Sequence, residues 1–440
     1  MYLKQEDLAL YNIISVTEDG LCTGCGTCVG VCPTDALKMH VSNGLLIPQV
    51  NEDKCTECGL CVECCPGFAV DFGSLNSLIF GRQPRDFFLG NYLNCYVGHS
   101  NDSAIRHNSS SGGIVTQLLI FALEKGVIDG ALVIRMRKDK PLEAEPFIAR
   151  TREEIISASK SKYCPVPINE ALRCIIKGEG KFAVVGLPCH IHGIRKAENS
   201  IKGLREKIVL SLGIMCSHTV DFFGTELLLE KLGIPHKQIK EIAYRGQGWP
   251  GYMLIKLKDN SGIYVPYVGN WNAYWSIFSC FFFTPRRCLM CLDETNEMAD
   301  ISFGDAWMPE LKNERNGESI MVARTEKGQE ILNLASSAGA IFLKPIKYDK
   351  VRQSQIEPLK FKKEDIGVRL TIIKATGQKI PKFNLEHSSY SGSFFSYLRS
   401  YYVLCNVWAA EKRSFKKILV YVPFPLFRLY YGIYKYLSKI

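Results

Sequence analysis

Hydrophobic and polar positions along this 440-residue chain fall into distinct textures. From about residue 95 to Lys344, short apolar runs of strand length alternate with longer runs whose apolar positions recur at helical spacing. SSSGGIVTQLLIFALEKG (109–126) predicts a loop, then an amphipathic helix from about Gly113 to Lys125, stopped by Gly126. IDGALVIR (128–135) reads as a buried strand. EGKFAVVGLPCHIHGIRKA (179–197) predicts a strand at Lys181–Val185, a tight turn and a helix. KIVLSLGIMC (207–216) is an apolar strand ending on Cys216, and DFFGTELLLEKLGI (221–234) is a helix. EIAYRGQGWPGYMLIKLKD (241–259) and GIYVPYVG (262–269) read as strands around a glycine-rich turn. Strands alternating with helices indicate an α/β domain. Before it, residues 1–75 form a small cysteine-rich unit, and 76–94 reads as a linker. After it, residues 346–440 read as a mixed linker followed by a basic, aromatic tail.

The cysteine-rich unit changes the picture most. CTGCGTCVGVCP runs from Cys22 to Pro33, and CTECGLCVECCP repeats the arrangement from Cys55 to Pro66. Thiolate sulfur is a soft ligand suited to iron–sulfur clusters and zinc. Cys-x2-Cys-x2-Cys wraps one loop around three corners of a cubane, and in two-cluster ferredoxins the fourth ligand comes from the other motif. The expected assignment is therefore crossed, with Cys22, Cys25, Cys28 and Cys65 on one [4Fe–4S] cluster and Cys55, Cys58, Cys61 and Cys32 on the other. Structural zinc sites pair two cysteines with two distant ones, which this spacing does not resemble. Cys64 is surplus and reads as a small buried residue.

Composition supports a packed globular protein, with 47% hydrophobic and 22% charged residues. Half of the 18 cysteines crowd into residues 22–65, and the N-terminus is too polar for a signal peptide. A reducing, cytoplasmic compartment is expected. The formal charge is +10, and from Lys412 to Ile440 there are seven Lys/Arg and no Asp or Glu. No nucleic-acid-binding fold accompanies that charge. No apolar run reaches the roughly 18 residues of a spanning helix. The tail at 412–440 reads either as peripheral on the inner face of an anionic membrane or as docked on the protein or a partner.

Four motifs of the large domain, SSSGGIVTQLLIFALEKGVIDGALVIR (109–135), FAVVGLPCHIHGIRK (182–196), YRGQGWPG (244–251) and CLMCLDETNEMADISFGDAW (288–307), together resemble the coenzyme F420 hydrogenase/dehydrogenase beta-subunit family. The resemblance spans 95–345, with an N-terminal part at 95–175 and a C-terminal part at 176–345, preceded by the two-cluster ferredoxin unit. It implies an α/β flavoprotein in which FAD passes electrons between clusters and a two-electron carrier or substrate. Coenzyme F420 serves some members in that role. Clusters deliver single electrons and hydride acceptors take two, so a flavin is the natural converter.

Several residues become candidates for that chemistry. Ser110, Ser111, Gly112 and Gly113 open a helix, where free N–H groups and the dipole suit a phosphate; the alternative is a plain serine cap. Lys162 and Tyr163 are candidates for lining a pocket. Arg245 is a candidate for pairing an anion and Trp249 for covering a ring, with a structural hairpin as the alternative. Cys189, Cys216, Cys288 and Cys291 are candidates for a third cluster; the alternative is that Cys189 and Cys216 are buried small hydrophobes. His190 and His192 read as satisfying local hydrogen bonds, and Asp300 and Asp305 as orienting a ribose or capping a turn. Three functions remain: a flavin-dependent oxidoreductase, a relay subunit for a redox partner protein or carrier, and a structural member without flavin.

Overall fold

The computed structural model describes residues 12–267, 273–383 and 392–439, which leaves the polar stretch 1–11 outside. The N-terminal lobe holds an antiparallel hairpin, β1 (Leu37–Ser42) and β2 (Leu45–Val50), and a short strand β3 (Ala69–Val70). Asn43 and Gly44 turn the hairpin with φ of 48° and 77°, the paired positive values that a tight two-residue turn requires.

The central sheet begins with β4 (Asn94–Ser100), β5 (Gly130–Met136), β6 (Ala144–Ala149), β7 (Phe182–Gly186) and β8 (Ile208–Ile214). The chain then leaves it for a three-stranded antiparallel sheet, β9 (Ile239–Ala243), β10 (Tyr252–Leu257) and β11 (Gly262–Pro266). It returns with β12 (Ile301–Asp305), β13 (Ser319–Ala323) and β14 (Ile341–Ile346). A last strand, β15 (Lys382–Phe383), runs parallel to β3. The eight strands are ordered β14-β4-β13-β12-β8-β7-β5-β6. β12, β8, β7 and β5 are parallel neighbours, and the flanking pairs are antiparallel. Sheets of this kind are covered by helices on their faces, so the parallel strands read as near-continuous apolar runs.

The expected elements of this domain form, most within a residue or two of their sequence limits; the helix expected to 234 ends at Lys231, and the strand read over 262–269 spans Gly262–Pro266, with 268–269 outside the described residues. Helix α1 (Phe72–Phe80) precedes the sheet; α2 (Ile114–Glu124) and α3 (Pro188–Ser200) pack against it; α4 (Phe222–Lys231) joins the core of the three-stranded sheet; and α5 (Ile366–Ala375), α6 (Phe394–Ala410), α7 (Arg413–Tyr421) and α8 (Phe424–Lys439) follow. The strand expected to end on Cys216 stops at Ile214, two residues earlier.

Two segments that read as linkers are part of the packed body. In 76–94, α1 is capped by Asp71, and Leu89 and Asn91 are fully buried. The buried Arg324 guanidinium holds the Leu89 and Asn91 carbonyls. Beyond residue 346, Val351, Phe361 and Arg369 are almost completely buried. The N-terminal lobe shares one apolar core with this extension, joining Leu21, Val29 and Phe68 to Phe361, Ile373 and Leu404. A second core joins Val31, Val70 and Phe72 to Leu172, Ile191 and Ile194 of the α/β domain. Each fully buried side chain of this size contributes about 1.5–3 kcal/mol, so the lobe is clamped between its neighbours.

Candidate functional site

Among the N-terminal thiols, those of Cys22, Cys25, Cys28 and Cys65 lie near one another, as do those of Cys61, Cys58 and Cys32. Cys22 has Cys65 and Cys25 as its electrostatic neighbours, and Cys28 has Cys25, Cys22 and Cys65. Cys61 neighbours Cys58 and Cys32, and it also feels Cys65, which places the two groups side by side. Burial pushes the Cys22 and Cys61 thiols up to about 12. Buried thiols that raise one another's proton affinity suit a cationic core that displaces their protons. Among the described residues no three His, Cys, Asp or Glu side chains converge closely enough for a single ion. Cys64 is fully buried in the apolar core that also holds Leu75 and Ile194. Cys55 and Cys58 are exposed, so one group faces outward.

Gly26 shows why the first loop is so lean. Its φ is +79°, and a Cβ there would meet Pro167 O and Glu170 N at 2.8 Å. The loop is bolted to the α/β domain: Asn169 N donates to Cys25 O at 3.0 Å and Asn169 Nδ2 to Thr27 Oγ1 at 2.8 Å. Past the second motif, Lys196 Nζ donates to the carbonyls of Cys65 and Ala69 at 2.8 and 2.7 Å. Arg287 takes those of Gly67 and Pro66 at 2.9 and 3.0 Å.

Cys189, Cys216, Cys288 and Cys291 form a second neighbourhood of four. Cys189 feels Cys25, Cys216, Cys288 and Cys291, and burial is the main cause of its raised proton affinity. Pro188 starts α3, which places Cys189 in the helix's first turn at the carboxyl end of β7, where the dipole favours negative charge. Cys216 lies two residues past β8, Cys288 lies within a 3-10 turn at Arg286–Met290, and Cys291 caps that turn's end. All four line a cavity of about 70 Å³ together with Arg287 and Lys362. Lys362 sits in a π-helical turn, Lys360–Glu364, and is 2% exposed. Burial alone would lower its proton affinity, yet Cys291, Cys216 and Cys288 raise it. Two buried cations beside four sulfurs suit an anionic group.

Next to this cavity is a larger one of about 840 Å³. Its floor is the carboxyl ends of the parallel strands: Ile134 of β5, Gly186 of β7, Ile214 of β8 and Asp305 of β12. That is where ligands sit in open α/β sheets. Val166, Leu187, His190, Cys216 and Thr219 line both cavities, so Cys216 belongs to the wall between them. Tyr267, Trp275, Phe278 and Trp307 supply aromatic surface.

The serine loop opens onto this cavity. α2 begins at Ile114 with Gly113 at φ 77° as its cap, and no side chain caps its first turn. The plain serine cap is therefore absent, and the helix's first N–H groups lie at the cavity edge with Gly113 and Ile114. Ser110 Oγ accepts from Ser161 N at 2.8 Å, and Ser111 Oγ donates to Glu318 O at 2.7 Å. Gly112 stands behind the wall, its N–H given to Ser319 Oγ at 2.9 Å.

The remaining candidates divide. Lys162 and Tyr163 both line the cavity. Burial pushes Lys162 down to about 7, while its Nζ donates to the carbonyls of Ala158, Ser159 and Lys160, which hold the ammonium form. Arg245 also lines it, bound to Asp305 at 2.5 Å and stacked on Tyr267 at 4.4 Å, with its Nε unpaired. Trp249, the expected ring cover, is outside the lining and packs at 4.6 Å on Trp307, which does line the cavity. Asp300 is buried and accepts from Ser211 N, a structural role. His190 accepts from Leu187 N, a local bond as expected, whereas His192 bonds the sequence-distant Asp293. Lys362, Arg287, Tyr431 and Tyr434 escape sequence reading. Lys362 lies in a charged run, KFKKED, that resembles a solvated face, and the others carry no spacing signal.

Comparison with known proteins assigns these domains to known families. The family model for the C-terminal part of "Coenzyme F420 hydrogenase/dehydrogenase, beta subunit" matches residues 179–349, and the model for its N-terminal part matches 95–173. A "4Fe-4S dicluster domain" matches 21–69. Among relatives, a coenzyme F420 hydrogenase subunit beta from Methanothermobacter thermautotrophicus is 30% identical over 290 residues, covering 63% of this chain and 93% of that one. A coenzyme F420-dependent sulfite reductase from Methanocaldococcus jannaschii is 28% identical over 368 residues, 80% of this chain and 52% of that protein. A chain of the F420-reducing [NiFe] hydrogenase complex from Methanosarcina barkeri superposes with a TM-score of 0.52 at 26% identity, covering 65% of this chain and 95% of its own. The chain is thus an iron–sulfur protein of the coenzyme F420 hydrogenase/dehydrogenase beta-subunit family.

Proposed function

We propose that the chain is an FAD-dependent oxidoreductase that passes electrons between [4Fe–4S] clusters and a two-electron carrier or substrate, with coenzyme F420 as the leading candidate. Cys22, Cys25, Cys28 and Cys65 hold one cluster, and Cys55, Cys58, Cys61 and Cys32 hold the exposed one. Cys189, Cys216, Cys288 and Cys291 hold a third. The observation that carries the reading is Cys216, which stands among the inner thiols and also lines the large cavity. The groups form a line: Cys61 feels Cys65, Cys189 feels Cys25, and Cys216 meets the cavity.

The cavity fits a flavin nucleotide in three respects. Its 840 Å³ lies within the range of cofactor sites. The uncapped start of α2 offers N–H groups to a phosphate. The aromatic wall offers faces to a ring system. FAD, when bound, supplies the exchange between one-electron and two-electron chemistry. The chain's own part is to bind and position. The Ser109–Ser111 loop and Gly113 frame the phosphate end. Tyr267, Trp275 and Trp307 exclude water from the ring, and Lys362 with Arg287 offsets the charge of the inner cluster. F420 as the carrier is supported by the names of the relatives. Eighteen thiols, all free among the described pairs, fit a reducing cytoplasmic compartment.

A relay subunit is the second reading. The relatives named as subunits favour it, and so does the outward-facing Cys55 and Cys58 pair, which would meet a redox partner protein. Anaerobically purified protein tests both. Three clusters predict about twelve iron atoms and twelve sulfides per chain, with extractable FAD. Turnover of reduced F420 with a dye by the isolated chain supports the enzyme, and its absence with flavin present supports the relay. Absence of flavin from protein with a full iron complement overturns both.

A further inference from the structure

The three C-terminal helices have two faces. Inward, Phe427 and Tyr434 of α8 are buried, Tyr430 OH donates to Asn406 Oδ1 at 2.7 Å, and Tyr431 OH donates to Glu357 Oε2 at 3.0 Å. Tyr431, Tyr434 and Lys435 form part of the large cavity's wall. Docking on the protein's own body is therefore settled for this face. Outward, Leu426, Leu429, Ile433 and Tyr436 are 52, 69, 51 and 66% exposed. Their spacing of three, four and three makes one continuous apolar stripe.

α6 carries a second exposed row: Phe394, Tyr397, Leu398 and Tyr401. The two rows border one seam. Tyr402 stacks on Tyr430 at 4.7 Å. Leu398 and Cys405 on α6, and Leu426 and Ile433 on α8, lie one turn to either side of those rings and are exposed. α7 adds Ile418 and Tyr421, the latter 85% exposed. Around these rows, Lys412, Lys417, Arg428 and Lys435 are exposed, and no acidic residue occurs from 412 to 440. No described helix is long and apolar enough to cross a membrane.

We propose that this face of α6, α7 and α8 lies flat on an anionic lipid surface. The apolar rows enter the acyl boundary, the tyrosines sit at headgroup level, and the Lys/Arg side chains meet lipid phosphates. An exposed apolar area of this extent marks an interaction site, and its charge selects the occupant. A second copy docked through the same face would bring two like-charged sets together, whereas an anionic bilayer complements both the apolar rows and the basic rim. The inference stands apart from the flavin reading because binding is measured without turnover. Since α8 also walls the large cavity, the docked face and the cavity share a helix.

The test is co-sedimentation of the full, cluster-loaded chain with phosphatidylcholine vesicles and with vesicles containing phosphatidylglycerol. Binding is expected on the anionic vesicles, falling about tenfold or more when salt rises from about 0.05 to about 0.5 M. The pair L429D/I433D should abolish it, and K412E/K417E should weaken it about tenfold or more on anionic vesicles alone. All four positions are exposed, and unchanged circular dichroism and iron content confirm intact variants. No sedimentation of the wild-type chain, or equal binding by the variants, overturns the proposal. So does a dimer by light scattering that L429D/I433D splits, since the face then belongs to a second copy.

Discussion

Cys22, Cys25 and Cys28 share one loop, whereas Cys189, Cys216, Cys288 and Cys291 come from separate segments between residues 189 and 291. Both groups end as four buried or half-buried thiols beside one another. The loop group brings three of its sulfurs together through local backbone turns, and its fourth, Cys65, comes from the second motif. The inner group exists only because β7 and β8 end at the same edge and the 3-10 turn at Arg286–Met290 is held against them. The first needs spacing and the second needs a folded sheet. The inner group also has what the outer one lacks at Cys55 and Cys58: burial, two neighbouring cations and a wall shared with the large cavity.

The largest expected effect comes from Cys288→Ser. If the proposed third cluster is held there, iron should fall by about four atoms per chain, and reduction of the proposed flavin by the remaining clusters should slow by about a hundredfold or more. Iron analysis and stopped-flow absorbance check this. Full iron in that variant would reduce the inner group to buried thiols and end the comparison.

Asn169→Ala strikes the seam between the two groups. This fully buried amide donates to Thr27 Oγ1 and to His190 O, each at 2.8 Å. Leaving its partners unpaired should cost about 1–3 kcal/mol, read from the denaturant midpoint. An unchanged midpoint would mean that the lobe and the domain are not coupled through this residue.

Lys362→Met should leave the iron count intact and lower the reduction potential of the proposed inner cluster. Removing a cation makes the added electron less favourable; a tenfold change in the equilibrium corresponds to about 59 mV. Spectroelectrochemistry checks it, with Lys362→Arg expected to restore most of the shift. Movement of the outer clusters' potentials by the same amount would show that the two groups do not differ in their electrostatic surroundings.

The smallest effect is expected for Cys64→Ala. Iron should be unchanged and the stability cost about 1 kcal/mol or less. Loss of iron would exchange the roles of Cys64 and Cys65.

Much of this is readable in the chain itself. The pattern predicts α2 from about Gly113 to Lys125 and the helix spans Ile114–Glu124, because its apolar periodicity and the stop at Gly126 are local properties. The segments 76–94 and 346–383 look like linkers and are not. Their burial comes from contacts with distant residues, such as Arg324 on the Leu89 carbonyl and Phe361 in the core of the N-terminal lobe. A glycine-rich loop makes Trp249 look accessible, but the fold packs it behind Trp307.

What the sequence determined alone was whatever depends on neighbours a few residues apart: the two thiol loops, the order of strands and helices, the basic sign of the tail and the family. Spacing along a chain fixes distance in space only over such short reaches, where the backbone has few alternatives. The tertiary structure decided which thiols from separate strand ends meet, that Lys362 and Arg287 stand beside them, and that the last helix both walls the cavity and turns an apolar, basic face outward. Those are relations between surfaces that only packing brings together.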